Sequence, residues 1–101
     1  MDSLYNDYYN QALSLQNHFH DVVDNHDHPV AQNLQREIHG LTEDFKSDKH
    51  PRSTEERIKV IEHQLIEARA NGQAPMNYQD IDNLQHQYQR LRENIRKLPN
   101  Y

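Results

Sequence analysis

Apolar residues recur at intervals of three and four along most of the chain, which is the spacing of one face of an α-helix. The first stripe predicts a helix from about Ser3 to Asp24, with apolar positions Tyr5, Tyr8, Ala12, Leu15, Phe19 and Val22. The second predicts a helix that begins at Pro29, behind Asp27 or His28 as its cap, and carries Val30, Leu34, Ile38, Leu41 and Phe45. Gly40 lies inside this helix, where glycine is unfavourable, so we expect a closely packed neighbour or a bend there.

Two further stripes predict helices in the second half of the chain. Ser53 and Glu56 have the spacing of a capping box ahead of the third helix, and Gly72 suits a left-handed stop after it. Asn77 with Asp80 is expected to cap the fourth helix. The two stripes are Ile58, Ile61, Leu65 and Ala68, then Ile81, Leu84, Tyr88, Leu91, Ile95 and Leu98. No segment shows the alternation of a strand, so the sequence predicts one all-α domain, residues 1–101, as a small antiparallel bundle of about four helices.

The stripes differ in width, which leaves apolar residues outside the narrow seam that need burial. The fourth helix is apolar only along a narrow seam, whereas the third adds Val60 and Ile66, and the first adds Tyr9, Leu13 and Val23. Either these residues lie deeper in a monomeric bundle or they form a contact face for another chain. Tyrosine is enriched at protein interfaces, so the predicted partner-binding residues are Tyr5, Tyr8, Tyr9 and Leu13.

Composition excludes several classes of function. The 101 residues include 21 Leu, Ile, Val and Phe, a lean core just above the share at which chains tend to stay disordered. With no Cys and two Gly, the chain lacks thiol chemistry, a P-loop and a dinucleotide fingerprint, and no serine lies in a nucleophile elbow. We therefore expect a non-enzymatic protein without a cofactor. No three consecutive residues are apolar, which predicts no membrane span or export signal and a cytoplasmic location.

Histidine is over-represented, with eight in the chain. His18, His20, His26 and His28 alternate with aspartates, a composition that suits Zn²⁺, Ni²⁺ or Cu²⁺, although their helical spacing separates them and no metal ligand set is assigned. Three histidines have a carboxylate four residues later on the same helix, and these pairs suit a pH-responsive bundle: His20 with Asp24, His39 with Glu43, and His63 with Glu67. Metal binding and pH response therefore stay as alternative functions.

Charge is distributed unevenly along the chain. The formal net charge is −5, and basic residues gather at the end of the fourth helix in a candidate patch of Arg90, Arg92, Arg96 and Lys97. Clustered bases suit phosphate backbones, but the net negative charge opposes nucleic-acid binding, and cations near a helix C-terminus also stabilise the helix dipole. A nucleic-acid-associated regulator is thus a further alternative. The favoured hypothesis is a small bundle that acts as a regulator, inhibitor or adaptor of another protein, either alone or as a homodimer.

Overall fold

The computed structural model describes residues 3–72 and 74–99, with side chains from residue 6 onward. Within these ranges the chain forms no strand and four α-helices: α1 (Ser3–Val22), α2 (Pro29–Lys46), α3 (Glu55–Asn71) and α4 (Tyr78–Arg96). A short 3₁₀ turn, Pro51–Thr54, leads into α3. The predicted all-α class and the predicted set of four helices are confirmed.

Contacts between helix ends show that α4 runs antiparallel to both α1 and α3. Just after α1, the backbone N–H of Asp24 donates to the carbonyl of Pro75, just before α4, over 2.6 Å. Just before α3, the Arg52 guanidinium donates to the carbonyls of Arg96 and Leu98 at the end of α4, over 3.0 and 3.3 Å. The four helices therefore stand side by side in a bundle that measures 40 × 20 × 18 Å.

All four apolar stripes face one shared core. Its fully buried large side chains are Leu34, Ile38, Leu41, Phe45, Ile58, Ile61, Leu65, Ile81, Leu84, Tyr88 and Ile95. Among the extra apolar residues, Val23 is buried in this core, whereas Val60 and Ile66 remain 42 % and 52 % exposed. The extra apolar residues of the first helix are therefore partly buried within the monomer, and those of the third helix stay on the surface.

Three of the predicted helix ends are confirmed by their hydrogen bonds or backbone angles. His28 caps α2, since its Nδ1 accepts from the backbone N–H of Val30 over 3.1 Å. Asn77 caps α4 through its Oδ1, which accepts from the backbone N–H of Asp80 over 2.8 Å. Gly72 ends α3 in the left-handed region at φ 66°, where a side chain would be strained.

The predicted capping box at the start of the third helix is wrong. Ser53 lies within the 3₁₀ turn, and its hydroxyl donates to the His50 carbonyl over 2.7 Å instead of capping a helix. The turn begins one residue after His50 because Pro51 has a helical φ, and the Nδ1 of His50 accepts from the backbone N–H of Arg52. The α-helix consequently starts two residues beyond Ser53, at Glu55.

Gly40 provides a close approach rather than a bend, and α2 runs through it without interruption. A Cβ at this position would overlap the guanidinium of Arg57 on α3, with 2.7 Å to its Cζ. That guanidinium donates to Asp44 over 3.0 Å and to Glu37 over 3.2 Å, so it lies across α2 at the glycine. The absence of a side chain at Gly40 therefore permits a cross-link between α2 and α3.

Candidate interaction surface

The predicted aromatic contact face on α1 divides between core and surface. Tyr8 is buried, and its ring stacks on Phe45 of α2 with centroids 5.7 Å apart, which corrects its assignment to a contact face. Burial, together with the nearby Asp7 carboxylate, raises the pKa of Tyr8. Tyr9 is partly buried against the core and Leu13 is half-buried, while the side chain of Tyr5 lies outside the described residues. Two of the four predicted residues thus retain some exposed surface.

The four cations of the predicted basic patch differ in their partners. Arg92 points toward α3, where its Nε and Nη2 donate to both carboxylate oxygens of the buried Glu62, over 2.6 and 3.2 Å. These hydrogen bonds raise the pKa of Arg92. Arg96 is paired with Glu55 at 3.6 Å. Arg90, Arg96 and Lys97 are all exposed, so three cations of the patch remain on the open surface.

Arg90 belongs to a groove between α1 and α4 with a volume of about 410 Å³. We call this the α1/α4 groove; its lining residues are Asn10, Gln11, Ser14, Leu15, Gln87, Arg90, Leu91 and Asn94. Leu91 is buried and Leu15 half-buried, so they form an apolar floor, and the six polar side chains form two banks. Apolar surface flanked by hydrogen-bonding side chains is the usual composition of a binding groove.

The other helix pairs are joined by polar side chains across their contacts. Thr42 of α2 donates to Gln16 of α1 over 2.7 Å, and Arg57 joins α3 to α2 as described above. Between α3 and α4, the Glu62–Arg92 fork is accompanied by an ion pair from Arg69 to Asp82 at 2.8 Å. Among the described residues, no side-chain hydrogen bond or ion pair joins α1 to α4. Unlike the three helix pairs just described, α1 and α4 thus meet without a polar cross-link in the part of the chain that the structure describes.

A second surface groove, between α3 and α4, contains the exposed Ile66. Its volume is about 440 Å³, but the Arg69–Asp82 ion pair lies within its lining. The Arg69 guanidinium also lies over the ring of Tyr78, 4.7 Å from its centroid. The charged groups of this second groove are thus already paired with one another, unlike Arg90 in the α1/α4 groove.

The histidines serve separate local contacts. His28 caps α2, and the rings of His20 and His26 lie 4.6 Å apart at the turn between α1 and α2. The predicted pairs His39 with Glu43 and His63 with Glu67 are present, at 3.7 and 3.0 Å, on exposed surface. Within residues 3–72 and 74–99, no three His, Cys, Asp or Glu side chains come together so as to hold a metal ion.

Comparisons with known proteins identify no relative of this chain. No protein-family model, curated protein or solved structure matches this chain. None of the helices in the described ranges is both long and apolar enough to cross a bilayer. The function is therefore inferred from the residues of the chain itself.

The sequence interpretation missed the α1/α4 groove because its two banks are more than seventy positions apart in the chain. One signal was present: α1 contains no Lys or Arg, so no permanently charged base on α1 can pair with an acid on α4. Only the packing of the helices shows that Arg92 lies against Glu62 of α3, whereas Arg90 lies against α1, which contains no glutamate.

Proposed function

We propose that this protein is a non-enzymatic helical bundle that binds another protein through the α1/α4 groove. The observation that carries the proposal is the groove itself, with two leucines at its floor and no polar cross-link between its banks. Buried apolar floor and polar rim are the parts of a protein interface that give affinity and specificity. The proposal includes a role as a regulator, inhibitor or adaptor and a cytoplasmic location, which cell fractionation tests.

The chemistry of the groove favours binding over catalysis. Its lining residues are Asn, Gln, Ser, Leu and Arg. None of these side chains exchanges a proton near neutral pH, so the groove offers no general acid or base and no base to activate its serine. Asn and Gln present both donors and acceptors, which suits the backbone and side-chain groups of a partner surface.

The three alternative functions have less support. Metal binding lacks a cluster of ligands among the described residues. Nucleic-acid binding has less support because Arg92 is engaged by the buried Glu62, and the exposed Arg96 already pairs with Glu55. The exposed pairs His39–Glu43 and His63–Glu67 lie away from the groove, so a pH response is not part of the proposal.

A steric block of the groove tests the proposal. Gln87 is an exposed residue of its α4 bank, and Gln87→Trp would fill the space above the leucines. Gln32 is an exposed glutamine on α2 outside the groove, so Gln32→Trp is the matched control. We expect proteins captured from the source lysate by the wild-type chain and by Gln32→Trp to be lost with Gln87→Trp. Capture that is equal for all three chains would contradict binding through this groove.

A further inference from the structure

Unpaired charges on the two banks of the groove point to the identity of the partner. On the α1 side, Asp7 is exposed and precedes Gln11 by four residues, so it continues the same bank by one helical turn. No Lys or Arg occurs anywhere in α1. Asp7 makes no ion pair with another described residue. The α1 bank therefore carries a negative charge that no other described residue pairs with.

The α4 bank carries the opposite charge. Arg90 lines the groove, is exposed, and makes no ion pair with another described residue. Lys97 follows seven residues later, which places it on the same side of the helix axis as Arg90. Arg92 and Arg96 point toward α3, where each has a glutamate. The unpaired cations of α4 thus lie toward the groove and its open end.

A face with one negative and one positive bank about an apolar floor is complementary to itself. Resting on the proposed function, we infer that the partner is a second copy of this chain, bound groove to groove about a two-fold axis parallel to the helices. Such an axis places α1 of each copy against α4 of the other. An axis perpendicular to the helices would instead place α1 against α1, with the like charges of the two Asp7 residues on facing helices.

The heights of the charges along the bundle agree with this axis. The bond from Asp24 to Pro75 sets the end of α1 beside the start of α4, so the start of α1 lies beside the second half of α4. Asn10, three residues after Asp7, lines the same groove as Arg90 and Asn94. Rotation about an axis parallel to the helices preserves height, so Asp7 of one copy comes to the level of Arg90 and Lys97 of the other.

Exchange of the two charges provides the test. The wild-type chain should rise in light scattering from 12.1 kDa toward twice that mass as its concentration increases at low salt. Each contact occurs twice in the dimer, so Arg90→Glu and Asp7→Lys should each weaken self-association about tenfold or more through like-charge repulsion. The double variant Asp7→Lys/Arg90→Glu should restore association to within about threefold of wild type, because the pair is then re-formed with its signs exchanged.

Arg36→Glu is the control, since Arg36 is an exposed arginine on α2 outside the groove and its reversal changes the net charge equally. Circular dichroism of every variant verifies that the helices are retained. A dimer that responds to Arg90→Glu no more than to Arg36→Glu, or that the double variant fails to restore, overturns the inferred contact.

A chain that stays at 12.1 kDa up to about millimolar concentration also overturns it, since that limit corresponds to only about 4 kcal/mol of binding free energy. In that case the capture experiment with Gln87→Trp decides separately whether the groove binds a different protein. Failure of self-association and failure of the groove as a binding site are thus distinguished by two readouts.

Discussion

The two flanks of α4 carry the same residue type in opposite situations. Arg92, on the flank toward α3, donates two hydrogen bonds to Glu62 and is largely buried with it. Arg90, two residues earlier on the flank toward α1, is exposed beside amide and hydroxyl side chains. The side chains on the facing helix produce this difference, because α3 presents a carboxylate at that level and α1 presents Asn, Gln and Ser.

The comparison separates what stabilises the bundle from what is available for binding. A buried carboxylate needs its partner, so the α3 flank is committed to the fold. On the α1 flank, the α4 side chains Gln87, Arg90 and Asn94 are exposed and make no hydrogen bond or ion pair with a described residue of α1. Their polar groups are therefore accessible to another molecule. The same helix therefore serves the core on one side and, in our proposal, recognition on the other.

Substituting each of the two arginines in turn should give the largest difference in stability between the two flanks. Arg92→Ala would leave the Glu62 carboxylate buried without its partner, and we expect the free energy of unfolding to fall by about 3 kcal/mol. Arg90→Ala removes an exposed side chain and should change it by less than about 0.5 kcal/mol. Urea unfolding at pH 7 and a concentration where the chain is monomeric measures both. Equal effects of the two substitutions would contradict the distinction between the flanks.

Between its two flanks, the core-facing side of α4 carries Tyr88, whose hydroxyl allows a second prediction. Tyr88 is fully buried, and its hydroxyl has no hydrogen-bond partner among the described residues. Tyr88→Phe removes that unsatisfied group without changing the ring, so the free energy of unfolding should stay unchanged or rise by up to about 1 kcal/mol at pH 8. A fall of more than about 1 kcal/mol would indicate that the hydroxyl is bonded.

Alkaline pH sharpens the Tyr88 experiment. Burial raises the pKa of Tyr88 well above the usual tyrosine value of 10.0, so the folded chain retains a phenolic proton that the unfolded chain releases above pH 10. This contribution to stability is complete below pH 10 and is lost as the pH rises. The wild-type chain should therefore lose about 1.4 kcal/mol more per pH unit than Tyr88→Phe above pH 10. Parallel pH profiles for the two chains would exclude a buried, protonated Tyr88.

The α2/α3 contact extends the comparison to another polar cross-link. Gly40→Ala raises helix propensity by about 1 kcal/mol, but the new Cβ displaces Arg57 from Glu37 and Asp44. We expect the two effects to offset each other to within about 0.5 kcal/mol, since partly exposed ion pairs contribute modestly. In an Arg57→Ala background the cross-link is already absent, so Gly40→Ala should then stabilise by about 1 kcal/mol. Equal effects in both backgrounds would contradict the close approach of Arg57.

Local signals in the sequence predicted the elements well. Pro29 behind His28, Asn77 with Asp80, and Gly72 each marked a helix end through groups within three residues of one another. The failures occurred where a competing contact acted. Pro51 started a 3₁₀ turn that included Ser53. The bond from Asp24 to Pro75, made across the bundle, ended α1 two residues before its predicted end at Asp24.

The candidate site was less accessible to sequence reasoning. Tyr8 and Tyr9 are adjacent and chemically identical, yet only Tyr8 packs on Phe45 and is fully within the core. Arg90, Arg92 and Arg96 formed one cluster in the sequence, whereas two of them have glutamates on or next to α3 and the third does not. Helical periodicity gives the direction of a side chain relative to its own helix but does not identify the residue opposite to it.

The sequence alone determined that the chain forms four helices, where most of them end, and which stripe of each faces the core, because these depend on neighbours three and four residues away. It also determined that α1 carries no Lys or Arg and that the core is lean. Only the tertiary structure decided that α1 and α4 meet without a polar cross-link and that Arg90 is left unpaired among the described residues. Contacts between helices depend on which groups from distant parts of the chain arrive at the same height, and no local pattern encodes that.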